Sequence, residues 1–113
     1  MLGRGGYSQA SGETGPAMLI NAVTYTFPVA EADEAERLFR ELRAASLGEA
    51  GCLGYEVCRG DGDAAGTFVL YEKWRDKAAL DEHYEQVHFV RLALNGLRPL
   101  ATSRTAVRGT PVE

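Results

Sequence analysis

Hydrophobic and polar positions alternate along three stretches of the chain, residues 19–27, 52–58 and 68–74. Because successive side chains of a strand point to opposite faces, this alternation predicts three β-strands. The stretches are also rich in the β-branched and aromatic residues that favour strands. Residues 60–66, between the second and third stretches, hold three glycines and two aspartates. Such a segment predicts a loop that joins the two strands as an antiparallel hairpin.

Two longer stretches follow a helical period instead. Between residues 31 and 47, apolar side chains recur three or four positions apart and predict an amphipathic helix. This first stripe consists of Ala35, Leu38, Phe39, Leu42 and Ala45. A second helix is predicted over residues 77–95, where the inward stripe consists of His83, Val87, Val90 and Leu94, with Leu80 and Tyr84 beside it. Residues 97–108 alternate loosely and predict a fourth strand, which Pro99 restricts to Leu100 and beyond.

The predicted order of elements is β-α-β-β-α-β, which is typical of an α+β, ferredoxin-like fold with an antiparallel sheet. Its two helices cover one face of the sheet. The other face carries Ile20, Val69 and Tyr71, and an apolar face of this kind needs a cover. We therefore expect a homodimer with its sheets face to face. The domain is expected at residues 18–108, between a disordered, glycine-rich leader at 1–17 and a frayed tail at 109–113.

Composition and charge argue against several classes of function. The 113 residues have the size of one domain, and a net charge of −4 without a basic cluster disfavours nucleic-acid binding. No apolar run approaches the roughly 20 residues that span a membrane, and we expect no secretory signal. Cys52 and Cys58 lie too far apart along one strand for a disulfide and match no zinc pattern. We therefore expect reduced thiols in a cytoplasmic protein without a metal.

The third strand ends in a combination of side chains that predicts a pocket. Glu72 and Trp74 share a strand face with Phe68 and Leu70. Burial of an ionised carboxylate on such a face costs several kcal/mol unless the charge is paired or hydrogen-bonded. A helix that carries His83 follows directly in the sequence. The carboxylate therefore indicates a dedicated partner or a ligand at this end of the strand.

Several short motifs together resemble one family. They are Glu-Ala-Gly-Cys-Leu-Gly-Tyr at 49–55, Phe-Val-Leu-Tyr-Glu-Lys-Trp at 68–74, Ala-Leu-Asp-Glu-His at 79–83 and His-Phe at 88–89, together with Phe39. This series resembles the antibiotic biosynthesis monooxygenase (ABM) family, the small dimeric α/β-barrel proteins that include quinol monooxygenases. The resemblance implies a pocket between sheet and helices. It also implies oxidation of a phenolic or hydroquinone substrate to a quinone by O₂, with no cofactor.

Two histidines are candidates for the catalytic base that this resemblance implies. Imidazole titrates near neutral pH, and His83 lies on the inward stripe of the second helix. The alternative interpretation of His83 is a structural core residue hydrogen-bonded to Glu72. His88 follows five positions later, about 140° further around an ideal helix. Both histidines face one pocket only if the helix breaks or bends near Val87.

Four further side chains are candidates for substrate contacts. Trp74 is expected to form an aromatic wall with an available N–H donor. Asn21 is polar on an otherwise apolar strand, and the haem-degrading relatives resemble this chain in having an asparagine on the first strand and a tryptophan on the third. We expect Asn21 to hold a substrate oxygen and Tyr25, on the same face, to act as a phenol donor. Glu72 is expected to orient a histidine or to bond a neighbouring strand.

Two other functions stay open at this point. Members of the family that resemble one another include haem-degrading enzymes and a sugar-phosphate isomerase as well as monooxygenases. A haem-degrading enzyme would need an axial histidine late in the second helix, a place that His88 fills. A dimer that binds a small molecule without catalysis is the remaining alternative.

Overall fold

Four strands form one antiparallel sheet in the computed structural model, which describes residues 18–113. They are β1 (Leu19–Thr26), β2 (Cys52–Arg59), β3 (Thr67–Trp74) and β4 (Ser103–Gly109). Their order across the sheet is β2-β3-β1-β4, and each neighbouring pair is antiparallel. β2 and β3 form the predicted hairpin, so the ferredoxin-like fold is confirmed. β4 extends to Gly109, which the sequence had placed in the frayed tail. The predicted leader at 1–17 lies outside the described residues.

Helical segments cover one face of this sheet. A short 3₁₀ turn (Val29–Glu31) leads into α1 (Ala32–Leu47). α2 (Lys77–Tyr84) begins where the side chain of Asp76 accepts a hydrogen bond from the backbone N–H of Ala79, at 2.9 Å. This N-cap fixes the start of the helix directly after β3. A π-helix (Phe89–Leu97) and one turn of α-helix (Arg98–Leu100) complete the layer.

The core lies between the helices and one face of the sheet. Alternate residues of β1 and β3 are buried, as the sequence pattern predicts. An aromatic cluster joins the layers at one end, where the ring of Phe39 on α1 lies 4.9 Å from that of Phe68 and 5.3 Å from that of Tyr25. Asn21 and Glu72 are direct partners across β1 and β3. The register therefore places both polar groups inside this core.

The continuous helix predicted over residues 77–95 is wrong. α2 ends at Tyr84, and the predicted stripe residues Val87, Val90 and Leu94 are exposed, Val87 by 79%. The chain breaks at residues 85–86 and continues as a π-helix, whose i→i+5 hydrogen bonds change the helical period. Phe89, Leu92, Ala93 and Leu97 are buried instead. The segment before the fourth strand is helical up to Leu100, and β4 starts at Ser103, within the range that Pro99 left for it.

The opposite face of the sheet is open in the single chain. Val69, Tyr71 and Val107 are exposed there by 42%, 47% and 73%. Both cysteines are free. Among residues 18–113, no helix has the length and apolar character needed to cross a membrane. The uncovered apolar face is therefore the surface that the predicted dimer would use.

Gly51 permits a close contact between the turn after α1 and the first turn of α2. Its carbonyl accepts a hydrogen bond from the backbone N–H of Arg75 at 2.8 Å. A Cβ at this position would lie 2.3 Å from the Cβ of Ala79, far inside van der Waals contact. The backbone of this turn and helix α2 therefore approach each other only because residue 51 has no side chain.

Gly51→Ala is expected to destabilise the fold by about 1–3 kcal/mol, because α2 must move to admit the methyl group. Urea unfolding of the variant measures this change. Ala79→Gly removes the clashing methyl group, so the double variant should recover part of the loss. Gly54→Ala is the matched control, since the nearest atom to its new Cβ is 3.8 Å away. Equal stability of the two alanine variants would show that the contact at Gly51 is not restrictive.

Candidate active site

Three ionisable side chains from separate segments meet at one carboxylate oxygen. Glu49 lies in the turn after α1, His83 in the last turn of α2, and His88 just before the π-helix. Oε2 of Glu49 is 2.7 Å from Nδ1 of His83 and 2.7 Å from Nε2 of His88. The break at residues 85–86 is what brings the second histidine round to the first. The helix break that the sequence required for the two histidines to come together is thus present. The histidines meet at Glu49, a residue that the sequence had not identified as functional.

A carboxylate at the centre of the cluster favours one tautomer of each imidazole. An ionised carboxylate only accepts hydrogen bonds, so Nδ1 of His83 and Nε2 of His88 both act as donors toward Glu49. The side chain of His83 is 1% exposed, whereas those of Glu49 and His88 are 11% and 19% exposed. In the neutral tautomer that carries its proton on Nδ1, Nε2 of His83 is the ring nitrogen with a free lone pair. A carboxylate bound to one imidazole nitrogen orients the other as a base.

Glu72 forms a second, separate network. Its Oε1 accepts hydrogen bonds from Nδ2 of Asn21 at 3.2 Å and from Nε1 of Trp74 at 3.0 Å. The interpretation of His83 as a histidine bonded to Glu72 is wrong, because Nδ1 of His83 bonds to Glu49. The bond from Glu72 to a neighbouring strand is confirmed. Burial raises the pKa of Glu72, although the bonds from Trp74 and Asn21 oppose this effect.

Aromatic rings hold His83 in place. The imidazole lies 4.5 Å from the ring of Trp74 and 5.0 Å from the ring of Phe89. The ring of Tyr55, on β2, lies 6.1 Å from the imidazole. Burial, together with the nearby charge of Glu72, raises the pKa of the Tyr55 hydroxyl well above its usual range. Trp74 is fully buried behind His83 and Glu72 and does not line the cavity, so the expected aromatic wall is wrong. Its indole N–H is used by Glu72.

A small internal cavity lies between the sheet and the helices. It is lined by Asn21, Val23, Tyr25, Leu42, Tyr55, Leu70, Glu72, His83, Tyr84, Phe89, Ala93 and Arg104. Its volume is about 10 Å³, which is roughly the space that one water molecule needs. Two polar atoms among the described residues are buried there without a partner, Oδ1 of Asn21 and Nε of Arg104. An acceptor and a donor are thus available to a ligand.

A contact between α2 and β4 lies beside this cavity. A guanidinium nitrogen of Arg108 donates a hydrogen bond to the hydroxyl of Tyr84 at 2.7 Å. The guanidinium of Arg104 lies 5.6 Å from the ring centre of Tyr25. Arg108 and Arg104 both belong to the last strand, and Tyr84 is the last residue of α2. A ligand larger than water requires side chains of the lining, which include Tyr84 and Arg104, to move.

A larger groove lies elsewhere on the molecule, between α1 and β2. It has a volume of about 430 Å³ and is lined in part by Arg40, Arg43 and Arg59. Each of these guanidinium groups lies within ion-pair distance of a carboxylate, as in the 2.9 Å pair of Arg59 with Glu36. Neither histidine reaches this groove. We therefore place the candidate active site at the internal cavity, in spite of its smaller volume.

The structure brings most of the sequence candidates to this cavity. Asn21, Tyr25, Glu72 and His83 line it, whereas His88 lies outside the lining, bonded to Glu49 and with its ring centre 6.1 Å from that of His83. Sequence reasoning missed Glu49 and Arg104. Glu49 opens the motif at residues 49–55, and its position directly after α1 was the available signal. Arg104 gave no signal beyond its place on the inward face of β4, opposite Tyr25.

Glu72→Gln is expected to change stability in a way that depends on pH. The folded-state pKa of Glu72 is raised, so folding favours its neutral form. The contribution of Glu72 to folding stability is complete at pH values below the ordinary carboxyl pKa. It is lost as the pH rises through the pKa of the folded state. The variant should therefore gain stability relative to the wild type as the pH rises from about 4 to 8. Urea unfolding across this range measures the difference, with the exposed Glu82→Gln as control, and a difference that does not vary with pH would contradict the prediction.

Comparisons with known proteins agree with the fold and with the sequence motifs. The sequence model of the family described as antibiotic biosynthesis monooxygenase matches residues 18–93. A Bacillus subtilis (strain 168) protein named "Putative monooxygenase YcnE" is 35% identical over 75 residues, 66% of this chain and 74% of the relative. The crystal structure of PA3566 from Pseudomonas aeruginosa is 31% identical, with a TM-score of 0.80 over 89% of this chain and 100% of the other. Another crystal structure, named as an antibiotic biosynthesis monooxygenase, is 30% identical with a TM-score of 0.77 over 84% and 99%.

Proposed function

The chain belongs to the antibiotic biosynthesis monooxygenase family, and on that basis we propose that it oxidises a phenolic or hydroquinone-type aromatic substrate to a quinone with O₂ and without a cofactor. One observation carries this proposal. His83 lines the internal cavity while its Nδ1 is bonded to Glu49, which leaves Nε2 as a base toward a bound phenol. Residues with this arrangement perform general-base catalysis. The two free thiols fit a reducing compartment, and we place the protein in the cytoplasm.

The substrate supplies the electrons in the proposed reaction. Nε2 of His83 takes the phenol proton, and the phenolate transfers one electron to O₂ to give a phenoxyl radical and superoxide. These two radicals combine at a ring carbon that carries hydrogen, which forms a C–O bond and a peroxide. Loss of the proton on that carbon and cleavage of the O–O bond release water and leave the quinone. One phenol and one O₂ thus give one quinone and one water.

The unpaired polar atoms of the cavity suit the charge that develops. The guanidinium of Arg104 bears an unpaired buried N–H, which would stabilise a phenolate oxygen. Oδ1 of Asn21 is an acceptor for a second hydroxyl group on the ring. Tyr25 and Phe89 offer ring surface to a flat substrate, and a bound substrate that fills the cavity would keep water away from the radical pair. A hydroquinone offers both the anionic oxygen and the hydroxyl donor that these atoms would bind.

Oxygen consumption tests the proposal directly. We expect the purified protein, treated with a chelator, to consume O₂ with at least one member of a panel of phenols and hydroquinones. With ¹⁸O₂ and a monophenol, one labelled oxygen should appear in the quinone and one in water. Uptake with no member of the panel would favour a binding protein without catalysis. Tight haemin binding with a Soret shift would favour the haem-degrading alternative, although Nε2 of His88 would first have to leave Glu49.

We also propose that two copies pair through the open sheet face. Val69, Tyr71 and Val107 are exposed there, and burying them would remove a large apolar surface from water. Light scattering is expected to give twice the chain mass at micromolar concentration. Tyr71→Glu should shift the mass toward one chain, because a dry interface disfavours an unpaired charge. Val29→Glu, which changes an exposed residue at the end of the sheet, is the control and should leave the dimer intact. A monomeric wild type would contradict the pairing.

A further inference from the structure

The cluster of Glu49, His83 and His88 has the composition of a transition-metal site. Two imidazoles and one carboxylate are ligands that Zn²⁺ prefers in proteins. One ligand atom from each residue lies within 4.8 Å of the other two, and among the described residues no other group of this kind converges so closely. Three ligands also leave room for a water molecule as the fourth ligand. We propose that this cluster binds a divalent cation of the Zn²⁺ type, and that the bound ion prevents Nε2 of His83 from acting as a base.

The distances require only small side-chain movements. Tetrahedral bonds of about 2.1 Å hold ligand atoms about 3.4 Å apart. Both nitrogens lie 2.7 Å from Oε2 of Glu49, so each O–N pair must open by about 0.7 Å. Glu49 lies in a turn outside regular structure, where its side chain can withdraw. The partial exposure of Glu49 and His88 gives an ion a route from solvent to the buried His83.

The cation would lie behind His83 rather than in the cavity. His83 lines the cavity, whereas Glu49 and His88 do not belong to its lining. Nδ1, which faces the cluster, would bind the cation. A neutral imidazole that binds a metal through Nδ1 carries its proton on Nε2, so the proton moves from one ring nitrogen to the other. Nε2 then becomes a donor and can no longer accept the phenol proton.

Zinc affinity of the full-length protein tests the site without any substrate. Chelator-treated protein should bind one Zn²⁺ per chain in competition with a chromophoric chelator. Glu49→Gln and His88→Gln should each weaken binding by about tenfold or more, since each removes one ligand. The double variant Cys52→Ser/Cys58→Ser is the control for binding by thiols and should bind like the wild type. No binding at equimolar Zn²⁺, or equal affinity in Glu49→Gln, would overturn the site.

The protonation of His83 tests the second half of the proposal. Two-bond ¹H–¹⁵N spectra should show the proton of His83 on Nδ1 in the metal-free protein and on Nε2 after addition of Zn²⁺. A proton that stays on Nδ1 would overturn the claim. The loss of activity rests on the proposed monooxygenase function: zinc should stop O₂ consumption, and EDTA should restore it. Full turnover by the zinc-loaded protein would overturn the inhibitory role, whereas absence of oxidation in the metal-free protein would contradict only the proposed function.

Discussion

His83→Asn is expected to slow O₂-dependent oxidation of the substrate by about 10²–10⁴-fold, the usual contribution of a general base. Asparagine keeps a polar side chain of similar reach near the carboxylate of Glu49 but offers no basic nitrogen. The phenol would then have to lose its proton without a basic nitrogen beside it. Initial rates of O₂ consumption at saturating substrate measure the loss. A thermal melt of the variant shows whether the fold is retained.

Variants of two neighbouring residues distinguish the base from the residues that orient it. His88→Asn should have a much smaller effect, because His88 does not line the cavity and bonds to Glu49 rather than to His83. Glu49→Gln should lower kcat with little change in KM, because Glu49 orients His83 without lining the cavity. An unchanged rate in folded His83→Asn would exclude this residue as the base. A rise in KM alone would assign Glu49 a role in binding rather than in orientation.

Trp74→Ala is expected to lower the free energy of unfolding by about 3–5 kcal/mol, the range for removal of a large buried aromatic side chain. Trp74 is completely buried, and its N–H bonds to Glu72 at 3.0 Å. Its loss creates a cavity and also leaves a buried carboxylate with fewer donors. Its ring supports the imidazole of His83 at 4.5 Å, so the variant should lose activity together with stability. Urea unfolding measures the first effect.

Two control variants show which part of this loss of stability comes from the buried ring of Trp74. Trp74→Phe keeps most of the buried ring and should lower the free energy of unfolding by less than the alanine variant does. The loss that remains in Trp74→Phe reflects the missing hydrogen bond to Glu72. Val87→Ala should change stability by less than about 0.5 kcal/mol, because Val87 is 79% exposed. The sequence pattern assigned Val87 to the core. A large loss in Val87→Ala would therefore support the continuous helix rather than the observed break.

The strands and the first helix were predictable because their hydrophobic periods are regular. β1 and β3 bury alternate residues, which places Asn21 and Glu72 in the core as the sequence indicated. The second helical region was not predictable in this way. Its period changes at residues 85–86, and nothing in the composition there marks a π-helix. Val87, Val90 and Leu94 fit a 3.6-residue period that the chain does not follow.

The candidate site was predictable in its residues but not in its connections. His83 and Glu72 lie close together in the sequence and suggested a pair, yet they serve different networks. Glu49 lies 34 positions from His83, a separation over which a periodic pattern carries no information. Its role depends on the close approach of the turn at Gly51 to α2. Contacts of this kind are set by packing between elements, so they emerge only from the three-dimensional structure.

The nearly filled cavity has a consequence for any affinity measured in solution. With room for about one water molecule, the observed conformation excludes an aromatic ring. Substrate would then bind only to the fraction of molecules in which the side chains of the lining have moved apart. The apparent dissociation constant is the intrinsic constant divided by that fraction. Changes around Tyr84 and Arg104 that favour the open fraction would therefore tighten apparent binding without adding a single contact to the substrate.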